Sequence, residues 1–297
     1  MSSEKRLLLI VNPVAGRKGI QKMIPQVVRV FMDADYIVTT MVTSKKGEAE
    51  NFAQKYGSEH DLIVAAGGDG TLKEVVSGLA AEKLSLPLGY IPCGSTNVFA
   101  AAHGIPTDIL TAAKAIAHGE LHEVDIGRFG EQFFAGSATF GAFTWMAYST
   151  DQELKNYLGV GAYVLDGAFD LTKLRPWHVK ITVNGVPHED DYIFGAISNT
   201  KSLAGILEYP TGLVDLNDGS FEVLLIKMPR DLTDWQKLLH SIRFRDYGEC
   251  PLIEITQAQN IWVDNPEGLI WALDGENSGE TKTAAVSVLH SFLKLKA

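Results

Sequence analysis

The sequence predicts a two-domain protein, with an N-terminal three-layer α/β domain built on a parallel sheet and a C-terminal antiparallel β-sandwich. In the first 125 residues, apolar runs alternate with segments of helical spacing through short connections, which is typical of repeated βα units. Later strand-like runs follow one another, and Asn184-Gly185 between two alternating runs is a strong hairpin signal. We place the first domain at 1–127 and the second at 128–284, and the last strand, about 285–297, is allowed to return to the first domain.

Each element of the first domain follows from its own stretch of sequence. The strands are expected at the apolar runs RLLLIV, DYIVTTMVTS, DLIVAAGG and LPLGYIPCG. The helices are expected at GIQKMIPQVVRVFMDA, KKGEAENFAQKYG, TLKEVVSGL, STNVFAAAHG and TDILTAAKAIAHG. Because crossovers between parallel strands are right-handed, the loops at the strand ends should lie along one edge of the sheet, where ligands usually bind.

The second domain is predicted mainly from strand-like runs. They are HVKITVNGVPHEDDYIFGAIS, GSFEVLLIKM, LIEITQAQNIWV, GLIWALDG and AAVSVLHSFLKLK. Helical patterns interrupt them only at about 151–173 and 232–244. The aromatic-rich stretch 133–150 reads as buried strand, and its Trp145 and Tyr148 are candidates for contact with an apolar ligand.

Composition and charge narrow the class of protein. The chain has 297 residues, 46% of them hydrophobic, which is enough for two cores. A net charge of −10 argues against binding to nucleic acid and against simple electrostatic adhesion to an anionic membrane. The two cysteines, Cys93 and Cys250, are typical of free thiols in a reducing compartment. With no recognisable signal peptide and no run apolar enough to span a bilayer, we expect a cytoplasmic protein.

Three glycine-bearing loops fall at the carboxyl ends of the first, third and fourth strands. They are NPVAGRKG, GGDGT and PCGSTN, and the second and third lead into helices. Glycine lets backbone amides approach an anion, and helix N-termini favour negative charge, so three such loops on one edge predict a polyphosphate site. The chain contains no G-x-x-x-x-G-K-[ST] and no G-x-G-x-x-G after a strand, which disfavours a P-loop ATPase and a standard dinucleotide dehydrogenase.

Asp69 lies in the middle of the second loop, where an unshielded carboxylate would repel phosphate. A bound Mg²⁺ would resolve that repulsion, so the position predicts a magnesium partner. The alternative interpretation is an aspartate that caps its own helix through the backbone amides around Leu72. Both roles are compatible with each other.

Two further carboxylate motifs occur in the second half. Asp215 and Asp218 precede Gly219 at a spacing that suits a hard cation, and a simple Asp-Gly turn explains them equally well. Asp274 and Glu276 flank Gly275 and would project to the same side if the strand continued, with one holding metal and the other accepting a proton. On chemistry alone, solvated turn charges are the favoured interpretation of this second pair.

Taken together, these motifs resemble the diacylglycerol kinase catalytic-domain family, in particular the soluble bacterial lipid kinases. The resemblance runs nearly end to end, through NPVAGR, VTSKKGEAENFA, GGDGTLKEVVSGL, PCGSTNVFAAAHGIP, EVDIG, DQELKNYLGVGAYVLDG, DGSFEVLLI and LDGE. NAD kinases and sphingosine-type kinases share Gly-Gly-Asp-Gly-Thr, but NAD kinases lack the later DGSFEV and LDGE arrangement. The resemblance implies an ATP-binding first domain and a lipid-substrate second domain.

The resemblance also implies roles for individual residues. Glu276 would take the proton from the lipid hydroxyl, and Asp69 and Asp274 would organise Mg²⁺ and phosphate. A second cation would be held by Asp215, Asp218 and the carbonyl of Ser220, with Asp125 linked to it through solvent. The implied ATP-binding residues are Asn12, Pro13, Val14, Ala15, Gly16, Arg17, Thr43, Gly68, Asp69, Gly70, Thr71, Leu72, Lys73, Glu74 and Ser95.

Three positions depart from the family pattern and keep alternatives open. Lys73 stands where the family usually has Asn, Val98 where it usually has Asp, and Ala101 where it often has Arg. The leading hypothesis is an ATP- and Mg²⁺-dependent kinase that converts diacylglycerol to phosphatidic acid. It would reach its lipid substrate by transient contact with a membrane surface. The alternatives are a catalytically weak nucleotide-binding relative with a regulatory role, or a kinase of a sphingoid alcohol, a polyprenyl alcohol or NAD. The sequence leaves a homodimer open.

Overall fold

The structure is a computed structural model that describes residues 4–16, 19–142, 175–203 and 207–297. Arg17, Trp145, Tyr148 and the helix expected at about 151–173 lie outside the described residues. The chain divides into two compact units. Unit 1 comprises Met1–Ile126, Gln132–Ala135 and His290–Ala297, and unit 2 comprises Gly127–Glu131 and Gly136–Leu289. The prediction of a two-domain chain is confirmed.

Unit 1 is built on a sheet whose neighbouring strands run parallel, in the order β2-β1-β3-β4-β15. Its main strands are β1 (Lys5–Val11), β2 (Tyr36–Val42), β3 (Leu62–Gly67) and β4 (Pro87–Pro92), followed by β5 (Leu121–Phe129) and β6 (Gln132–Phe134). The end of the long strand β15 (Glu276–Lys296) joins this sheet, where Lys294 and Leu295 pair with Pro87 and Leu88.

The helices of unit 1 cover this sheet. They are α1 (Ile20–Met32), α2 (Glu48–Tyr56), α3 (Asp69–Ala81), α4 (Val98–Ala102) and α5 (Ile109–His118). Alternate residues of β1 and β3, which are fully buried, pack with the apolar faces of α1 and α5. Burial of both strands explains why each one reads as a continuous apolar run.

Unit 2 is antiparallel and consists mainly of strands. In its main sheet the order is β13-β12-β9-β7-β14, β8 pairs with β9 and β14, and β15 pairs with β14. The strands are β7 (Ser137–Gly141), β8 (Trp177–Val183), β9 (Val186–Ser198), β12 (Phe221–Lys227), β13 (Ile253–Ala258) and β14 (Asn260–Leu273). The short strands β10 (Ser202–Leu203) and β11 (Leu207–Glu208) form a separate pair, and α6 (Leu232–Phe244) packs on the main sheet.

Local signals fix several of these boundaries. The predicted hairpin is confirmed, because Asn184 and Gly185 both have positive φ and Val183 pairs with Val186. The helix expected at 232–244 is also present, and its N-cap Asp231 accepts the backbone amide of Asp234 at 2.8 Å.

Candidate active site

The three glycine-bearing loops of unit 1 converge at the carboxyl ends of their strands. A Cβ atom on Gly94 would lie 2.7 Å from the Cα of Gly68, and one on Gly16, where φ is +58°, would collide with the carbonyl oxygen of Cys93. The amide of Cys93 donates to the carbonyl of Gly67 at 2.7 Å. Glycine is therefore required here by the close approach of the loop backbones to one another.

Asn12 connects the first loop to the second. Its Nδ2 donates to Thr71 Oγ1 at 3.0 Å, and its Oδ1 accepts the backbone amide of Val14 at 3.2 Å. The amide of Asn12 itself donates to the carbonyl of Ala66 at 2.9 Å. One side chain thus fixes both the turn after β1 and the first turn of α3.

Asn97 organises the third loop, a role that the sequence did not reveal. It is buried, has φ of +52°, accepts the amide of Gly94 on Oδ1 at 2.9 Å and returns a bond from Nδ2 to the Gly94 carbonyl at 2.9 Å. The hydroxyl of the buried Tyr90 also donates to Oδ1, at 3.3 Å. Asparagine tolerates the left-handed region and bonds nearby backbone, and this is the signal that could have identified the role from the sequence.

The Asp69 carboxylate holds the third loop against the second. Oδ2 accepts the backbone amide of Val98 at 3.1 Å and Oδ1 that of Phe99 at 3.3 Å. The alternative interpretation, that Asp69 caps its own helix around Leu72, is wrong, because α3 begins at Asp69 with Gly68 as its N-cap and no side-chain cap bond. Burial raises the pKa of Asp69, and the amide bonds partly oppose that shift.

The other predicted nucleotide residues of unit 1 divide into loop and helix positions. Thr43 follows β2 beside the first loop, since its amide donates to the Val11 carbonyl at 2.8 Å. Ser95 is exposed in the third loop, and Lys73 is half-buried on α3. The Glu74 carboxylate accepts the amides of Gly47 and Ala49 at 2.8 and 3.2 Å, at the start of α2.

Asp125 is fully buried on β5, next to the residues of β15 that belong to unit 1. Its Oδ1 accepts the backbone amide of Ser291 at 2.7 Å and lies 2.8 Å from Nδ1 of His290. Sequence reasoning did not identify His290 as a partner, because the two positions are 165 residues apart. Within unit 1, this carboxylate ties β5 to β15.

In unit 2, Asp274 and Gly275 form a two-residue hairpin turn. Both have positive φ, and Leu273 pairs with Glu276 across the turn. The premise that the strand continues from Asp274 to Glu276 is therefore wrong. Asp274 Oδ1 accepts the amides of Gly136 and Ser137 at 2.7 and 2.9 Å, while the half-buried Glu276 begins β15.

The predicted cation loop lies just before β12. Asp215 Oδ1 accepts the amide of Asn217 at 3.2 Å, and Asp218 Oδ1 accepts that of Ser220 at 2.8 Å, so each aspartate closes a local turn. In the described part of the chain, no three His, Cys, Asp or Glu side chains come together as a metal-binding group.

The predicted cation loop, with Asp215 and Asp218, and the turn at Asp274 lie at one end of the same sheet. Asp274 bonds the start of β7, and Ser137 of β7 pairs with Ser198, which pairs with Glu222 of β12. With neighbouring strands about 4.8 Å apart, the turn after β14 and the start of β12 are separated by three strand spacings. Sequence reasoning did not single out Glu222, which is fully buried and whose pKa is raised to about 7, chiefly by desolvation.

Unit 2 also contains a cavity of about 530 Å³ beside the edge strand β13. Its wall is mostly apolar, and it is lined by Val183, His188, Pro210, Leu213, Val223, Leu225, Tyr247, Gly248, Ile253, Glu254, Ile255 and Thr256. A cavity of this size and character suits an apolar ligand.

The geometry of both units agrees with comparisons to known proteins. The model of the diacylglycerol kinase catalytic domain matches residues 6–129. The model of the YegS C-terminal NAD kinase beta sandwich-like domain matches residues 144–296. The chain belongs to the diacylglycerol kinase family. The predicted function of an ATP-dependent lipid kinase is confirmed at the level of this family.

Individual relatives cover almost the whole chain. A diacylglycerol kinase from Bacillus subtilis (strain 168) is 35% identical over 277 residues, which cover 93% of this chain and 91% of that protein. One from Staphylococcus carnosus (strain TM300) is 29% identical over 296 residues, covering 98% and 93%. A crystal structure from Bacillus anthracis str. Sterne, provisionally named a diacylglycerol kinase, has a TM-score of 0.83 at 28% identity and covers 99% of this chain and 95% of its own.

No helix in the described part of the chain is long and apolar enough to cross a membrane.

Proposed function

We propose that this protein transfers the γ-phosphate of ATP to the free hydroxyl of diacylglycerol, producing phosphatidic acid and ADP. The observation that carries the proposal is the convergence of three glycine loops at one edge of the unit 1 sheet, where the loop backbones approach one another closely at Gly16, Gly68 and Gly94. Backbone amides at such an edge suit a polyphosphate, and the curated relatives named above are diacylglycerol kinases.

In this proposal each unit has its own substrate. Residues 1–127, with the returning strand at about 285–297, form a three-layer α/β domain that binds ATP. Residues 128–284 form an antiparallel β-sandwich that binds the lipid. The parallel pairing in unit 1, the antiparallel pairing in unit 2 and the apolar cavity beside β13 support this division.

The nucleotide would be held mainly by the loops after β1, β3 and β4. Asn12 through Gly16, Gly68 through Thr71 and Ser95 lie in or beside these loops, and Thr43 lies next to the first of them. Arg17 would add a cation. We assign Glu74 to the same site indirectly, because its carboxylate anchors the segment that follows Thr43.

The reaction needs a base, charge neutralisation and correct positioning. Glu276 would accept the proton of the lipid hydroxyl while that oxygen bonds to the γ-phosphorus and the bond to the ADP oxygen breaks. Asp69 and Asp274 are assigned to organise Mg²⁺ and phosphate, and Mg²⁺ would supply positive charge to the phosphate oxygens. Both carboxylates are already fixed by two backbone amides each, so their orientation is set before substrate binds.

A second Mg²⁺ is proposed in the loop of Asp215, Asp218 and the Ser220 carbonyl. The residues fit a hard cation, because all the donors are oxygens and a buried carboxylate, Glu222, lies at the base of the loop. This ion would stabilise the loop that leads into β12.

The protein would act from the cytoplasm, with peripheral contact at the inner face of the membrane and without nucleic acid as a partner. The net charge of −10 supports the last point. We also propose a homodimer, which a measurement of the molecular mass in solution would test.

The test is transfer of labelled phosphate from Mg·ATP to a panel of acceptors in mixed micelles. The panel contains diacylglycerol, a sphingoid base, a polyprenyl alcohol and NAD. We expect transfer to diacylglycerol, reduced by about 10²–10⁴-fold in Glu276→Gln with ATP affinity retained. Preference for another acceptor would contradict the assignment of diacylglycerol as the substrate. Equal turnover in Glu276→Gln would contradict the assignment of Glu276 as the base.

The same assay tests the position of the lipid. Thr256 is exposed at the cavity wall, so Thr256→Trp should obstruct the cavity and raise KM for diacylglycerol while KM for ATP stays constant. Thr283→Trp, at an exposed site of β15 that does not line the cavity, is the matched control. An unchanged lipid KM in Thr256→Trp would remove the cavity from the substrate site.

A further inference from the structure

Glu222 is a buried carboxylate whose hydrogen bonding is incomplete. Its side chain is 0% exposed. Oε1 accepts a bond from Gln257 Nε2 at 3.2 Å, while Oε2 has no hydrogen-bond partner among the described residues. A carboxylate oxygen removed from water without a donor is costly, so a further group is expected to satisfy it.

The surroundings of Glu222 lead to the proposed cation loop. Gln257 Nε2, which bonds Glu222, also donates to the carbonyl of Leu213 at 3.2 Å, two residues before Asp215. At the other end of the loop, Ser220 lies two residues before Glu222 on the same chain segment. The carboxylates of Asp215 and Asp218 are close enough to act electrostatically on Glu222.

Asp215, Asp218 and Glu222 lie on one segment of the chain without a basic partner among the described residues. Within the described part of the chain, none of Asp215, Asp218 and Glu222 forms an ion pair with Lys, Arg or His. Like charges gathered in this way repel one another unless a cation neutralises them. A cation is therefore the class of ligand that satisfies both the unpartnered oxygen and the local excess of negative charge.

We propose that Glu222 positions the Mg²⁺ of this loop through water, with Oε2 accepting a hydrogen bond from a water molecule bound to the ion. Glu222 is not proposed as a direct ligand, because no three acidic side chains come together as a metal-binding group in the described residues. Mg²⁺ keeps several waters in protein sites, and groups that bond those waters orient the ion. The inference rests on the proposed cation loop and adds a residue to it.

The experiment measures Mg²⁺ binding to the full chain without ATP or lipid, by isothermal titration and by thermal unfolding over a series of Mg²⁺ concentrations. The variants are Glu222→Gln, Asp218→Asn as a change to a proposed ligand, and Glu267→Gln as a control at an exposed carboxylate. We expect Glu222→Gln to weaken Mg²⁺ affinity by about 10–100-fold, as is typical of groups that bond a metal's ligands.

Unfolding in EDTA separates this role from a structural one. Without Mg²⁺, Glu222→Gln should have a Tm equal to or above that of the wild type, because it removes an uncompensated buried charge. With Mg²⁺, the wild type should gain more stability than the variant, since the ion stabilises the state that binds it more tightly. A structural role alone would lower the Tm of the variant equally in both conditions.

Two outcomes overturn the inference. If Glu222→Gln and the wild type bind Mg²⁺ equally while Asp218→Asn binds it more weakly, the loop binds Mg²⁺ but Glu222 does not position the ion. If Mg²⁺ does not stabilise the wild type, the proposed cation site is wrong. Neither outcome touches the proposed kinase function, because phosphate transfer is measured separately.

Discussion

The Asp69 carboxylate accepts the backbone amides of Val98 and Phe99, so the second and third loops of unit 1 are joined at a position where the family usually carries a second carboxylate. These bonds use the backbone of residue 98 and are independent of its side chain. The loop arrangement therefore tolerates valine, although the charge of the site is altered.

Val98→Asp should not raise turnover sharply. Burial already raises the pKa of Asp69. A new carboxylate beside it would raise this pKa further, because two like charges repel each other. The measurement is phosphate transfer to diacylglycerol, with Val98→Asn as the uncharged control of the same shape. A large gain in Val98→Asp alone would identify the wild type as a catalytically weak relative.

Gly94→Ala should weaken nucleotide binding. Its Cβ would lie 2.7 Å from the Cα of Gly68, so the two loops would separate, at a cost of about 1–3 kcal/mol in the free energy of unfolding. Calorimetric ATP binding and thermal unfolding measure the effect. Gly248→Ala, where a Cβ meets nothing within 4 Å, should leave both quantities unchanged. Equal behaviour of the two variants would show that the loops can separate freely.

Glu74→Ala should raise KM for ATP more than it lowers kcat. Loss of the carboxylate leaves the amides of Gly47 and Ala49 at the start of α2 without their acceptor, which typically costs about 1 kcal/mol. Steady-state kinetics at varied ATP measure the change, with the exposed Glu59→Ala as the control. A fall in kcat at constant KM would instead place Glu74 in the chemical step.

Asp274→Asn should destabilise unit 2, whereas Glu276→Gln should not. Asp274 bonds the amides of Gly136 and Ser137, and weakening bonds to a charged acceptor costs about 1–3 kcal/mol. For a domain of this size, that loss lowers Tm by several degrees. Thermal unfolding of both variants distinguishes the anchoring residue from the proposed base, and an unchanged Tm in Asp274→Asn would refute the anchoring role.

His178 should make stability pH-dependent. Its Nδ1 lies 2.9 Å from Asp191 Oδ1 and its Nε2 3.2 Å from Glu189 Oε1, and these hydrogen bonds raise the pKa of His178 above its ordinary value of 6.5. The native state then binds the proton more tightly than the unfolded state. The stabilisation is complete below pH 6.5 and is lost as pH rises through the raised pKa.

Thermal unfolding on both sides of this window measures the dependence. His178→Gln should remove that part of the pH dependence, while His122→Gln, at an exposed site on β5, should retain it. Added salt should reduce the effect, because the group is exposed. A pH profile of His178→Gln identical to the wild type would contradict the expectation.

Much of unit 1 was predictable because its signals are local. Buried parallel strands such as β1 and β3 read as continuous apolar runs, and their order with the helices implies loops at one edge. The hairpin at Asn184-Gly185 was equally local. The motifs themselves sufficed to indicate the family, which the comparisons then confirmed.

The partners of the carboxylates were not predictable, because they depend on contacts between distant segments. Asp69 bonds residues 29 and 30 positions away, Asp274 bonds residues 137 and 138 positions away, and Asp125 pairs with a histidine 165 positions away. The sequence by itself determined that carboxylates and glycines stand at the strand ends. Only the tertiary structure decided which backbone amides those carboxylates accept and that Glu222 is buried at the start of β12, after the loop proposed to bind a cation. The reason is that burial and hydrogen-bond pairing are properties of the packed chain.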